Sequence, residues 1–278
     1  MWLINVETRK LECFNDERDL PLYAILSHTW TNTEITMQMY RDLPEDRSRQ
    51  YGYIQISRGY DKIDRSCQQA RADGLPYLWV DTCCIDKTSS AELSEAINSM
   101  FRWYQGAVIC YVYLDDLAKA RWFTRGWTLQ ELIAPKDVIF YDQRWTRIGT
   151  KRSLKFDISR ITRIHELVLG GKVRLRSVDV AQRMTWAAGR ATSKVEDKAY
   201  SLFGIFGVHM PLLYGEGTKA FTRLQEEILK ESDDMSLPGR RGGVEERGAG
   251  AAACVGSGAR GVDSCGGSAT VLQGFGAE

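Results

Sequence analysis

Strand-like and helix-like segments alternate over the first 150 residues, which predicts an α/β fold with a mainly parallel sheet flanked by helices. The alternating segments are separated by helix-capping patterns, glycines and a proline, which mark breaks between elements. Beyond residue 177 the apolar residues fall at helical spacing, which predicts a helical extension at the C-terminal end of the core.

The first strand is YAILSHTW (23–30), a short apolar run that ends in polar residues. A helix over 59–74 places Ile63, Cys67 and Ala70 on one face and closes at Gly74. YLWVDTCCID (77–86) is the second strand. The next helix (89–106) opens with Ser89 and Glu92 at capping-box spacing, carries a stripe of Leu93, Ile97, Met100, Phe101 and Tyr104, and stops at Gly106. AVICYVYLDD (107–116) is the third strand, 123–134 a helix closed by Pro135, and DVIFYD (137–142) the fourth strand.

The basic stretch 151–176 carries no pattern that assigns it. Helices follow at SVDVAQRMTWAAGR and EDKAYSLFGIFG, the latter behind a second capping-box spacing at Ser193 and Glu196. The last helix carries Phe221, Leu224 and Ile228 on one face. These readings divide the chain into an α/β core (1–150), a mostly helical part (151–236) and a tail (237–278). The tail holds about half of the 25 glycines, almost no large apolar residue, and is expected to be disordered.

Composition narrows the function classes. Basic and acidic residues number 37 and 36, so there is no electrostatic footprint for nucleic acid or an anionic membrane. No apolar run reaches the ~20 residues of a membrane span. The N-terminal MWLINVETRKLECF turns charged too soon for a signal peptide, and a cytoplasmic location is expected. The seven cysteines show no metal-ligand spacing and are expected to be reduced, mostly buried thiols, with no metal site.

In open parallel sheets, ligands bind at the carboxyl ends of the strands. That rule selects Ser27-His28-Thr29-Trp30, Asp81 to Asp86, Asp115-Asp116 and Tyr141-Asp142. In the helix after the third strand, Trp127 and Glu131 are four residues apart and share a face, with Gln130 beside them. An indole beside a carboxylate is an environment that raises a carboxyl pKa. Each candidate has a structural alternative. Glu131 fits a surface or ion-pair residue, His28 a hydrogen-bonding residue as well as a general base, and Asp81 or Asp86 a helix cap as well as a ligand for a cation or a ribose. The tryptophans at 30, 79, 103, 122 and 127 fit the core individually. Tyr214-Gly-Glu-Gly217 lacks the strand and the Lys-Ser/Thr of a phosphate loop and reads as a turn.

Together YAILSHTW, YLWVDTCCIDK, RGWTLQELIAP and VEDKAYSLFGIFGVHMPLLYGEGTKAFTRLQEEI resemble the fungal heterokaryon-incompatibility (HET) domain over roughly residues 20–236. Thr31 stands where that family usually has glycine. The resemblance implies a fungal non-self recognition effector that triggers programmed cell death, with self-association and with NOD-like or other incompatibility proteins as partners. The order of features is also similar to the Toll/interleukin-1 receptor (TIR) domain, which implies flavodoxin-like strand order. In NAD-cleaving members of that family the catalytic glutamate sits in a helix of pattern Ser-x-Trp-Cys-x-x-Glu-Leu. Carried over, it falls on Glu131, with Trp127 at the tryptophan and Arg125 where serine is usual. The same resemblance makes NAD the expected substrate, with no further cofactor. Ser27, His28, Thr29 and Trp30 would line the opposite wall, and Asp81 would contact ribose. A non-enzymatic death-signalling module acting by self-association or partner binding is the alternative.

Overall fold

The computed structural model describes residues 1–43, 58–114 and 121–236, with Met1–Ser232 forming one compact unit. Asp115, Asp116 and the glycine-rich tail lie outside the described residues.

The centre of the molecule is a seven-stranded sheet. Its strands are β1 (Trp2–Asn5), β2 (Leu11–Cys13), β3 (Tyr23–His28), β4 (Tyr77–Val80), β5 (Ile109–Tyr113), β6 (Val138–Tyr141) and β7 (Arg147–Thr150), in the order β2-β1-β4-β3-β5-β6-β7. The four inner strands pair in parallel as β4-β3-β5-β6, so the expected strands occur in space as second, first, third, fourth. That is the flavodoxin-like order, in which the switch point falls between β3 and β5. All six residues of β3 are buried, as a parallel strand covered on both faces requires.

The edges add antiparallel strands to the parallel centre. β1 and β2 form a hairpin added antiparallel to β4, and β7 returns antiparallel to β6. These strands are three or four residues long, too short to show period-two alternation. Both hairpins turn on side-chain acceptors. Asn5 Oδ1 takes the amides of Glu7 and Thr8, and Asp142 Oδ1 takes those of Arg144 and Thr146. Tyr141-Asp142 is therefore a hairpin entry, with the Trp145 ring stacked 4.9 Å from Tyr141.

Three helices connect the parallel strands. These are α2 (Arg58–Ala72), which follows the short α1 (Met37–Arg41), then α3 (Ser90–Gly106) and α4 (Thr128–Ile133). Gly74 closes the turn after α2 with φ +74°, a left-handed conformation suited to glycine. Ser89 caps α3 by accepting from the Glu92 amide, but the Glu92 carboxylate reaches back to the Asp86 amide, a variation on the expected capping box. The helix expected over 123–134 is shorter. A 3-10 turn at Arg121–Thr124 precedes α4, because Thr128 Oγ1 bonds back to the Trp122 and Arg125 carbonyls.

The stretch 151–176 folds into α5 (Lys155–Thr162) and α6 (Glu166–Leu169), followed by α7 (Val180–Ala187), α8 (Asp197–Tyr200), α9 (Phe203–Phe206) and α10 (Lys219–Ser236). Leu224 and Ile228 of α10 are buried. No helix among the described residues is long and apolar enough to cross a membrane.

Candidate functional site

The carboxyl ends of β3 and β4 and the start of α4 converge on a cleft of about 320 Å³. Its lining includes His28, Trp30, Asp81, Arg125, Trp127 and Glu131, six of the eight residues that the resemblance assigns to a site. Ser27 and Thr29 are buried and do not line it.

Glu131 is 6% exposed and is the deep end of the cleft. The wholly buried Trp122 donates its indole N–H to Ser27 Oγ at 2.8 Å. With that oxygen already accepting, the Ser27 hydroxyl donates to Glu131 Oε2. The Glu131 carboxyl is pushed up to about 8, chiefly by burial and next by the negative Asp81. The Ser27 bond, Arg125 and the Tyr104 hydroxyl oppose that rise. The indole beside the carboxylate is thus Trp122, acting through Ser27. Trp127 instead hydrogen-bonds Asp197.

The histidine is an isolated neutral imidazole. His28 Nε2 lies 3.4 Å from Asp81 Oδ1 and 3.8 Å from Glu34 Oε2, yet neither ring nitrogen has a hydrogen-bond partner. Burial, followed by Lys62, Lys87 and Arg125, holds its pKa well below the usual value. Lys62 is committed to Glu34 Oε1 at 2.5 Å. Burial also raises the Asp81 pKa, and its Oδ2 accepts from Trp30 Nε1 at 2.7 Å. Asp86 is used otherwise: its Oδ1 takes the Thr88 amide and hydroxyl.

The tryptophans separate by exposure. Trp79, Trp103 and Trp122 are core, whereas Trp30 is 42% exposed and Trp127 half-buried on the cleft wall. The Lys87 ammonium sits 3.7 Å over the Trp30 ring.

The C-terminal part supplies cleft residues that sequence reading missed: Ser193, Lys194, Asp197 and Tyr214, beside Lys87 from the β4 loop. Backbone pairing holds this wall in place, with Gly126 N–H on Ala191 O and Ala191 N–H on Thr124 O. A Cβ on Gly126 would stand 2.4 Å from Thr192 Cγ2, so the close approach needs glycine. Glu196 does not complete a capping box with Ser193. Its carboxylate accepts the Gly215 and Gly217 amides and ties down the loop bearing Tyr214. Its pKa is lowered first by its own backbone amide and then by those two. The Tyr214 hydroxyl donates to Asp197 Oδ1 at 3.0 Å, and Lys194 lies 3.7 Å over the Tyr214 ring. The available signal was the pair of acidic residues at 196–197 ahead of a glycine-flanked tyrosine.

No group of three or more metal-ligating side chains occurs among the described residues. The cleft instead offers buried carboxyls at one end and exposed cations on aromatic rings at the other. That arrangement suits an organic ligand carrying both a cationic or hydroxylated part and an anionic part.

Fold and site together define an open α/β domain with a cleft at the carboxyl ends of its parallel strands. The model of the family described as heterokaryon incompatibility protein (HET) matches residues 23–121. Vegetative incompatibility protein HET-E-1 of Podospora anserina is 48% identical over 231 residues, which is 76% of this chain and 16% of that relative. The chain carries a HET domain of the fungal incompatibility family. It spans about a sixth of the length of the relative it matches. No solved structure matches the chain.

Proposed function

We propose that this chain acts in fungal heterokaryon incompatibility as an effector domain that triggers cell death by hydrolysing NAD at Glu131. The observation that carries the reading is the cleft itself. A buried carboxyl stands at the strand ends, with Asp81 near it and with Arg125, Lys87 and Lys194 toward solvent.

The chemistry follows from that distribution of charge. The bond between ribose C1′ and the nicotinamide nitrogen breaks heterolytically, and its electron pair neutralises the cationic ring. The positive charge left on the ribose is met by the Glu131 carboxylate, whose poor solvation strengthens the attraction. Water adds to C1′ and releases a proton, which Glu131 accepts. Arg125, Lys87 and Lys194 supply positive charge for the pyrophosphate. Burial and Asp81 push the Glu131 carboxyl up to about 8, and the cationic nicotinamide draws it into the ionised form. Cleavage is therefore expected to rise with pH through an apparent pKa at or below about 8.

Glu131→Gln in the full chain is the test, with NAD loss and host-cell death measured beside the parent. Loss of cleavage by roughly 100-fold or more, together with loss of killing, is expected. A variant that kills as well as the parent overturns the proposal.

A second reading rests on the Ser27–Glu131 bond, which joins β3 to α4 inside the protein. There Glu131 is a protonated structural clasp, and the domain signals death by self-association or by binding another incompatibility protein. Killing that persists in the variant, with NAD untouched in both proteins, selects it.

A further inference from the structure

Helices α3 and α4 each have two working faces. Leu93, Ile97 and Met100 of α3 and Glu131 of α4 line the Glu131 cleft. Asn98, Phe101, Arg102 and Gln105 of α3 and Ile133 of α4 line a separate recess of about 690 Å³, closed by α9 and by the segments around residues 168–176 and 203–209. The volume lies within the ~300–1,000 Å³ range of small-molecule sites.

Its charge is one-sided. Arg102, Lys136, Lys151, Arg174 and Arg176 line it together with His209, and no Asp or Glu does. The chain as a whole carries only +1, so this is local segregation rather than a general excess. Two of the five cations are committed. Arg102 pairs with Glu17 at 3.1 Å, and the Lys151 ammonium donates to the Leu132 and Pro135 carbonyls. Lys136, Arg174 and Arg176 have no ion pair or side-chain hydrogen bond among the described residues. Arg176 is close enough to Arg183 to depress its pKa, after burial, so like charges are held near one another.

One further feature points to a ligand. Phe101, Ile205, Phe206 and Val208 add an apolar wall. That wall is fixed, because α9 sits so close on α3 that a Cβ at Gly204 would lie 2.0 Å from Phe101 Cβ.

We propose that this recess binds a phosphorylated organic molecule of nucleotide size. Arg174, Arg176 and Lys136 supply the charge for its phosphates, and the apolar wall takes its organic body. Guanidinium forks match phosphate oxygens, and several unpaired cations suit a polyphosphate better than a single carboxylate.

The test uses the full 278-residue chain and a fluorescent ADP analogue followed by anisotropy. Saturable binding is expected, with inorganic pyrophosphate competing more weakly than ADP. Arg174→Glu with Arg176→Glu should weaken binding at least 10-fold, whereas Lys194→Glu in the Glu131 cleft should weaken it far less. The milder Arg174→Gln with Arg176→Gln, checked for parental thermal melting, should weaken binding in the same direction. Absence of binding at millimolar probe overturns the proposal. So does binding lost in Lys194→Glu but kept in both arginine pairs, which places the nucleotide in the other cleft. Displacement by a deca-glutamate peptide but not by pyrophosphate also overturns it, in favour of an acidic protein segment.

Discussion

The two recesses flanking α3 and α4 each hold a buried ionisable side chain of opposite sign, and burial treats both alike. Glu131 at the deep end of the cleft is 6% exposed and pushed up to about 8. Lys151 in the basic recess is also 6% exposed and pushed down to about 8. Desolvation is the first cause in each case and opposes the charged form whatever its sign. Their partners differ. Glu131 receives one hydroxyl from Ser27, whereas Lys151 donates to two backbone carbonyls near the end of α4. The cleft therefore holds a carboxyl poised to ionise, and the recess holds a cation that ties chain segments together.

The largest expected effect uses that contrast. An unfolded glutamate ionises near 4.5, while Glu131 in the folded chain keeps its proton to about 8. Between those values the folded state binds more protons, so its stability falls as pH rises, by a few kcal/mol in all. Glu131→Gln removes the falling limb. Its thermal melting should be well above the parent's at pH 9, with the difference shrinking toward pH 5. Equal pH slopes in the two proteins would show that Glu131 is ionised across this range.

Next in size is the seam between the recesses. Gly204→Ala drives a Cβ into Phe101 Cβ, an atom fixed to the α3 backbone, and is expected to cost roughly 2–3 kcal/mol. Gly126→Ala at the cleft meets Thr192 Cγ2, the end of a side chain, and should cost about 1 kcal/mol. Urea denaturation midpoints would rank the two, and a reversed order would mean that the cleft wall is the stiffer one.

Lys151 gives a smaller effect of opposite sign. An unfolded lysine titrates near 10.5 and this one near 8, so between pH 8 and 10.5 the unfolded state binds more protons and stability rises with pH. Lys151→Met should abolish the gain in melting temperature between pH 8 and 10. The carbonyls of Leu132 and Pro135 lose their donor, which offsets the relief by about 1 kcal/mol.

Much of the α/β core was legible because its signals are local. Apolar runs at β3, β4 and β5 alternate with the periodic helices α2 and α3, which suffices for the parallel sheet. Helical spacing and the strand-end rule then drew attention to Glu131, His28, Asp81 and Trp127, which do line one cleft. The wall formed by Lys194, Asp197 and Tyr214 was not legible. It depends on the Gly126–Ala191 pairing and on Glu196 reaching Gly215 and Gly217, contacts between segments about 20 to 65 residues apart. The spacing of Ser193 and Glu196 even suggested a local cap, and the tertiary bond won. The basic recess was hidden for the same reason, since its cations come from α3, the α4–β6 turn, β7 and the α6–α7 region, where no short pattern joins them.

The finest test separates the two links of the Trp122–Ser27–Glu131 chain. Trp122→Phe removes the indole N–H from Ser27 Oγ but leaves the hydroxyl free to donate to Glu131. It should cost about 1–2 kcal/mol through the lost bond and smaller ring, with little movement of the Glu131 titration. Ser27→Ala removes the donor that favours the ionised carboxylate, and it leaves Trp122 Nε1 buried without a partner. The Glu131 titration should then move further above 8, as read from the pH dependence of melting against Glu131→Gln. If the two substitutions shift that titration equally, the serine merely relays the indole dipole; if only Ser27→Ala does, the hydroxyl itself sets the acidity of Glu131.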